Sequence, residues 1–196
     1  STFVDIVSDE TGIYYDLDAK RGRIFAYDMD GNLLFVFGGP ATFQTGTFIL
    51  PVAIETDGEN LYVLDLSLAS ITVFEPTEFA RSVRRGVVEY QTGSYLESIE
   101  TWNEVIRQNV NFDLAYSKIG RIHYRQKSYR EAMNFFKLAN DKPNYSNAFF
   151  RYRQELLRKN FGISMTIIAL IIIAFRIIRK YFRNWKLKKQ QGGSGL

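Results

Sequence analysis

The chain has 196 residues, a net charge of +4, 46% hydrophobic residues and no cysteine. That is enough for one or two compact domains, and it excludes disulfide staples and thiol chemistry. Seven Lys and Arg lie between Arg176 and Lys189 with no Asp or Glu among them. The basic excess therefore belongs to one short tail and gives no ground for a nucleic-acid partner.

Residues 1–81 carry short β-rich runs between turns, in "GRIFAYDMDGNLLFVFG" and "PVAIETDGENLYVLDLSLASITVFEP". The two runs match at a spacing of 47, with Tyr15 on Tyr62, Leu17 on Leu64, Asp18 on Asp65, Ile24 on Ile71, Tyr27 on Phe74 and Asp28 on Glu75. Within "MDGN" the Asp-Gly pair predicts a tight hairpin turn. Asp16, Asp18, Asp28 and Asp30 lack the spacing of a calcium loop and read as turn-capping acids. A unit of this length with four strands predicts a β-propeller blade. Two blades leave sheet edges exposed, so the expectation is the C-terminal part of a larger propeller. The start "STFVDIV" has no Met and no apolar signal segment, which adds to that expectation.

Residues 82–160 read as a helical stalk. A second correspondence, at 34 residues, puts Gly86 on Gly120, Tyr90 on Tyr124, Tyr95 on Tyr129, Glu97 on Glu131, Ser98 on Ala132 and Trp102 on Phe136. That period predicts helix–turn–helix units, with helices near 82–92, 95–108, 112–126 and 129–140. A further helix is expected after Pro143, with no breaker before Gly162.

Residues 161–178 form the expected transmembrane helix. The charge-free stretch from Gly162 to Phe175 spans about 21 Å, short of a hydrocarbon core of about 30 Å. Arg176 near its end can snorkel to the headgroups and lengthen the span. Ile163, Ile167, Leu170, Ile171, Ala174 and Ile178 are the candidate packing face toward another membrane protein. Arg176, Arg179, Lys180, Arg183, Trp185 and Lys186 are the candidate cytoplasmic and lipid anchor. The stronger basic flank places residues 179–191 in the cytoplasm and residues 1–160 outside. The final residues, 192–196, read as an engineered linker.

No catalytic constellation emerges. His123 is the only histidine, on a predicted helix, and no phosphate loop, nucleophile elbow or paired metal motif occurs. The expectation is a non-enzyme without cofactor or metal.

The first region resembles NHL-type blades, through "YVLD" followed by "ITVFE". The second resembles tetratricopeptide repeats, through "GSYLESIETW" and "KSYREAMNFF". The fold expected is thus multidomain: incomplete all-β propeller blades, then α-helical tetratricopeptide hairpins, then one transmembrane helix. The combination is similar to an NHL-repeat/tetratricopeptide single-pass membrane family of Gram-positive bacteria, associated with carbohydrate ABC importers. The tetratricopeptide resemblance implies a partner groove at Tyr90, Ser117, Arg121, Tyr124, Arg151 and Glu155. The family resemblance implies an accessory subunit at the plasma membrane, with a transporter permease and an extracellular substrate-binding protein as partners. The alternative readings are a free-standing surface receptor that binds glycan or peptide and, less favoured, an exported propeller enzyme.

Overall fold

The computed structural model describes residues 2–41 and 44–191, with side chains throughout except at 181 and 183–191. The expected linker at 192–196 lies outside the described residues. The chain divides into two compact units, Ser1–Ala148 and Phe149–Leu196.

The first unit opens with seven strands in two antiparallel sheets. Sheet 1 has the order β1-β2-β3-β4, from Phe3–Ser8, Tyr14–Asp18, Arg23–Tyr27 and Leu33–Gly38. Sheet 2 has the order β5-β6-β7, from Pro51–Thr56, Leu61–Asp65 and Ser70–Phe74. Alternation sets the buried side: Tyr15 and Leu17 of β2 face inward with Ile24 and Ala26 of β3. The expected "MDGN" turn is present. Gly31 sits at φ 77° and donates its N–H to the carbonyl of Asp28, a left-handed conformation that suits glycine.

Helices follow. α1 (Glu78–Thr92), α2 (Tyr95–Gln108), α3 (Asp113–Arg125) and α4 (Tyr129–Leu138) lie within the first unit. α5 (Lys142–Gln191) begins there and continues through the second. α1 starts earlier than its apolar period suggests, because Thr77 caps it and accepts the N–H of Ala80 at 3.2 Å.

The expected propeller blades and tetratricopeptide hairpins are corrected by this architecture. Among the described residues there are two small sheets that do not close into a ring, and sheet 2 has three strands rather than four. After β7 the chain turns into the capped start of α1 instead of forming another strand. The helices do not form free-standing repeat hairpins. Val83 and Val87 of α1, Trp102 and Val105 of α2, and Ala115 and Ile119 of α3 share one core with the sheets. A smaller cluster joins Ala132 and Phe136 of α4 to Ala148 of α5.

The 34-residue correspondence has a local cause. A Cβ on Gly86 would stand 2.9 Å from the Trp102 ring, and one on Gly120 would stand 2.8 Å from the Phe136 ring. Each glycine thus seats one aromatic against the preceding helix. Ser98 adds a hydrogen bond from its hydroxyl to the carbonyl of Gly86 at 3.1 Å.

Trp102 is fully buried, and its indole N–H has no hydrogen-bond partner among the described residues. Its contribution is therefore volume and packing. Trp102→Ala should lower stability by about 3–5 kcal/mol. Trp102→Phe should cost clearly less, since no hydrogen bond is lost. Urea unfolding midpoints of the two variants check this.

Candidate functional site

The turns between strands are built on aspartates. Asp9, after β1, accepts the N–H of Thr11 at 2.9 Å and of Ile13 at 3.2 Å, and the Tyr15 hydroxyl at 3.2 Å. Asp28, after β3, accepts the N–H of Asp30 at 3.0 Å and of Asn32 at 2.8 Å. Asp65, the last residue of β6, accepts the N–H of Leu68 in the following turn at 3.0 Å, and those of Ile49 at 2.7 Å and Leu50 at 3.1 Å from the segment before β5. Such local bonds satisfy turn backbone that would otherwise be lost to solvent or left unpaired.

Two of these turns also receive a cation from a helix. Arg84 of α1 pairs with Asp9 at 3.0 Å; the Asp9 side chain is buried and that of Arg84 is partly buried. The same guanidinium bonds the carbonyls of Gly58 and Glu59 in the β5–β6 turn. Lys118 of α3 pairs with Asp28 at 2.6 Å and Asp30 at 3.3 Å, and Arg121 reaches Asp30 at 3.1 Å. The Asp28 pair is buried on both sides.

Beside the second joint lies a concavity of about 350 Å³ lined by Asp28, Met29, Asp30, Val87, Tyr90, Gln91, Tyr95, Lys118 and Arg125. Lys118 Nζ lies 5.1 Å from the centre of the Tyr90 ring, and the Arg125 guanidinium lies 5.3 Å from it. Arg125 also donates to the Tyr95 hydroxyl at 3.2 Å. Lys118 and Arg121 have carboxylate partners, whereas Arg125 has none among the described residues. An aromatic wall with one such cation suits an acidic group. A second concavity, about 280 Å³, is mostly apolar, with Phe35, Phe37, Phe74 and Phe79 in its lining.

Of the groove candidates, Tyr90 lines the first concavity and Arg121 holds Asp30 beside it. Ser117 instead donates to Asp141 at 2.7 Å, which ties α3 to the start of α5. The Tyr124 ring meets Tyr129 edge-on at 5.4 Å. Arg151 and Glu155 belong to the second unit, where Arg151 donates to Gln154 at 3.5 Å. His123 stacks on Phe135 at 5.3 Å, and burial lowers its pKa while Glu131 opposes the shift. Among the described residues, no group of three His, Cys, Asp or Glu side chains could hold a metal ion.

Asp9, Arg84, Lys118 and Arg125 were not among the sequence candidates, and Asp28 was read only as a turn-capping acid. A signal existed for Lys118. It stands three residues after buried Ala115 and four before buried Ile122, on the core face of α3.

In the second unit, α5 contains one stretch, within Lys142–Lys180, long and apolar enough to cross a membrane. All six candidate packing residues, Ile163, Ile167, Leu170, Ile171, Ala174 and Ile178, are exposed, and so are Ile168, Ile172, Ile173 and Ile177 on other sides of the helix. Arg176, Arg179 and Lys180 follow on the same helix. The side chains of Arg183, Trp185 and Lys186 lie outside the described residues. No protein-family model and no curated protein matches this chain.

The buried charges make acid sensitivity predictable. Burial raises the Asp28 pKa, but hydrogen bonds from Lys118 and Asn32 and the lysine charge outweigh it, and the net shift is below the ordinary 3.8. A depressed folded-state pKa stabilises fully above the unfolded value, and that stability is lost as pH falls through the folded value. Wild-type stability should therefore drop below pH about 4, and Asp28→Asn should remove part of that dependence. At pH 7, Lys118→Met should cost about 3–5 kcal/mol because Asp28 is left buried and uncompensated. The Asp28→Asn/Lys118→Met double variant should recover much of the loss. Urea titrations between pH 2 and 7 measure all three.

Proposed function

We propose that the chain is a non-catalytic, single-pass accessory subunit that lays its apolar helix against a multi-pass membrane partner and carries the first unit outside the membrane. The observation behind this reading is the charge-free stretch of α5, whose large apolar side chains are exposed on every side. A core helix would bury such side chains, so lipid and a partner's helices are the environment that suits them. The face of Ile163, Ile167, Leu170, Ile171, Ala174 and Ile178 recurs every three or four residues and forms one continuous ridge. No GxxxG pair occurs in it, and packing rests on isoleucine surface. The excess of Lys and Arg after Phe175 favours a cytoplasmic tail. A transporter permease, such as that of a carbohydrate importer, is the partner expected from the sequence.

A free-standing surface receptor is the second reading. The concavity at Tyr90, Tyr95 and Arg125 favours it, since it offers a bound acidic group both a ring face and a cation.

The test replaces Ile163–Ile178 with an unrelated single-pass helix of adequate length. The variant should remain in the membrane fraction and lose co-purification with multi-pass proteins. If it still co-purifies at full yield, the helix is only a tether. If the wild type brings down no membrane partner at all, the receptor reading stands. External protease on intact cells should remove residues 1–160 and spare the tail, and protection of those residues would overturn the orientation.

A further inference from the structure

The 47-residue correspondence extends from single residues to whole sheet faces. Tyr15 pairs with Ala26 and Leu17 with Ile24 across β2–β3. Their counterparts pair in the same way across β6–β7, Tyr62 with Val73 and Leu64 with Ile71. These four residues hold the same face of each sheet.

The two faces differ in what covers them. Leu17, Ile24 and Ala26 are each 0% exposed, whereas Leu64, Ile71 and Val73 are 36%, 63% and 51% exposed. In sheet 1 the cover includes the opposite face of sheet 2, in one core with Val83 and Val87 of α1. Ile54, Leu61 and Val63 of that face are buried in the same core. Phe37 of sheet 1 meets Phe74 of sheet 2 edge-on at 5.1 Å, and the Asp5 carboxylate accepts the N–H of Ile54 at 2.9 Å.

The reverse holds for the other side of sheet 1. By the same shift, Tyr14, Phe25 and Tyr27 occupy the places of Leu61, Thr72 and Phe74. Their rings form a row, with Tyr14 on Tyr27 at 5.3 Å, Phe25 beside Tyr27 at 6.5 Å, and Phe3 against Phe25 at 5.9 Å. Phe3 is exposed, and the other three are only partly buried. The chain thus contains one completed joint and both unjoined halves of a second joint of the same kind.

We propose that a second copy of this chain stacks on it head to tail. The face of Leu64, Ile71 and Val73 on one copy meets the face of Phe3, Phe25 and Tyr27 on the next. The occupant is argued from the joint inside the chain, which already shows these two face types packing on each other. The contact is between unlike faces, so it propagates into a ring or a row and does not stop at a symmetric pair. Sheets that pack this way hold their faces about 10 Å apart.

The absence of cysteine allows a direct test. Full-length Val73→Cys and Phe25→Cys variants, purified in detergent, are mixed and treated with a short bis-maleimide. The mixture should yield cross-linked dimers, and Val73→Cys alone should yield few. The mass of the wild type by light scattering should rise with concentration. Ile71→Asp lies at an exposed position and should keep the circular-dichroism melting curve while weakening association at least tenfold. Three results would overturn the proposal: a monomer at every concentration with no cross-link, cross-linking of Val73→Cys to itself as efficient as in the mixture, or association undiminished in Ile71→Asp. The last would assign the association to another surface, such as the apolar helix.

Discussion

Arg84 joins three parts of the chain that sequence keeps far apart. It leaves α1, neutralises the buried Asp9 of the β1–β2 turn and bonds the carbonyls of the β5–β6 turn. One side chain thereby fixes sheet 1, sheet 2 and the first helix against each other. A guanidinium can do this because it presents five N–H donors in a rigid plane and stays charged. Asp9 is already committed to its own turn, so breaking the pair would strand a buried carboxylate rather than release a surface one. Burial and the neighbouring Asp9 charge also push the Tyr15 phenol well above its usual range. That hydroxyl stays a donor to Asp9 at any ordinary pH.

Lys118 repeats this arrangement at the β3–β4 turn. It binds Asp28 after that aspartate has closed its own hairpin through Asn32. Sheet and helices are therefore clamped through turn aspartates, and the apolar core fills the space between. The clamp determines the site as well. Tyr90 and Arg125 line the concavity because α1 and α3 are held beside the β3–β4 turn. A loss at Asp28 would be felt first as a displaced Lys118, and only then at the tyrosine wall.

The local features were legible in the sequence and their long-range pairing was not. "MDGN" marked its own turn, and the 34-residue period put Trp102 and Phe136 at equivalent places, but that Gly86 and Gly120 seat them became visible only in the structure. α2 was legible to its ends, since Tyr95 and Gln108 bound a clean apolar period. Periodicity shows which face of a strand is apolar but not what covers it. Ile24 and Ile71 are the same residue in the same register, yet one is buried and the other open to solvent. The repeat therefore suggested a closed ring of sheets, whereas only one pair of faces meets. Lys118 and Asp30 lie 88 residues apart, and no spacing rule links them. Tyr90 and Arg121 were named through the tetratricopeptide resemblance, whereas the acids beside them, Asp28 and Asp30, come from the sheet.

The helix sets a length problem that its own polar groups help to resolve. Gly162 to Ile178 gives about 25 Å at 1.5 Å per residue, less than a hydrocarbon core of about 30 Å. Polar groups inside that span must be satisfied by the helix itself, and Thr166 does this by donating to the carbonyl of Ile163 at 2.8 Å. The deficit falls at the ends. Upstream, Phe161 and Leu157 extend the apolar surface, with Arg158 and Lys159 between them. Downstream, Ile177 and Ile178 follow Arg176, whose long side chain can reach the headgroups while its stem stays in the apolar layer. A helix with cations at both ends has little freedom to slide along the bilayer normal. In a bilayer, charge at both ends would set its depth, and packing on its apolar sides would set its rotation.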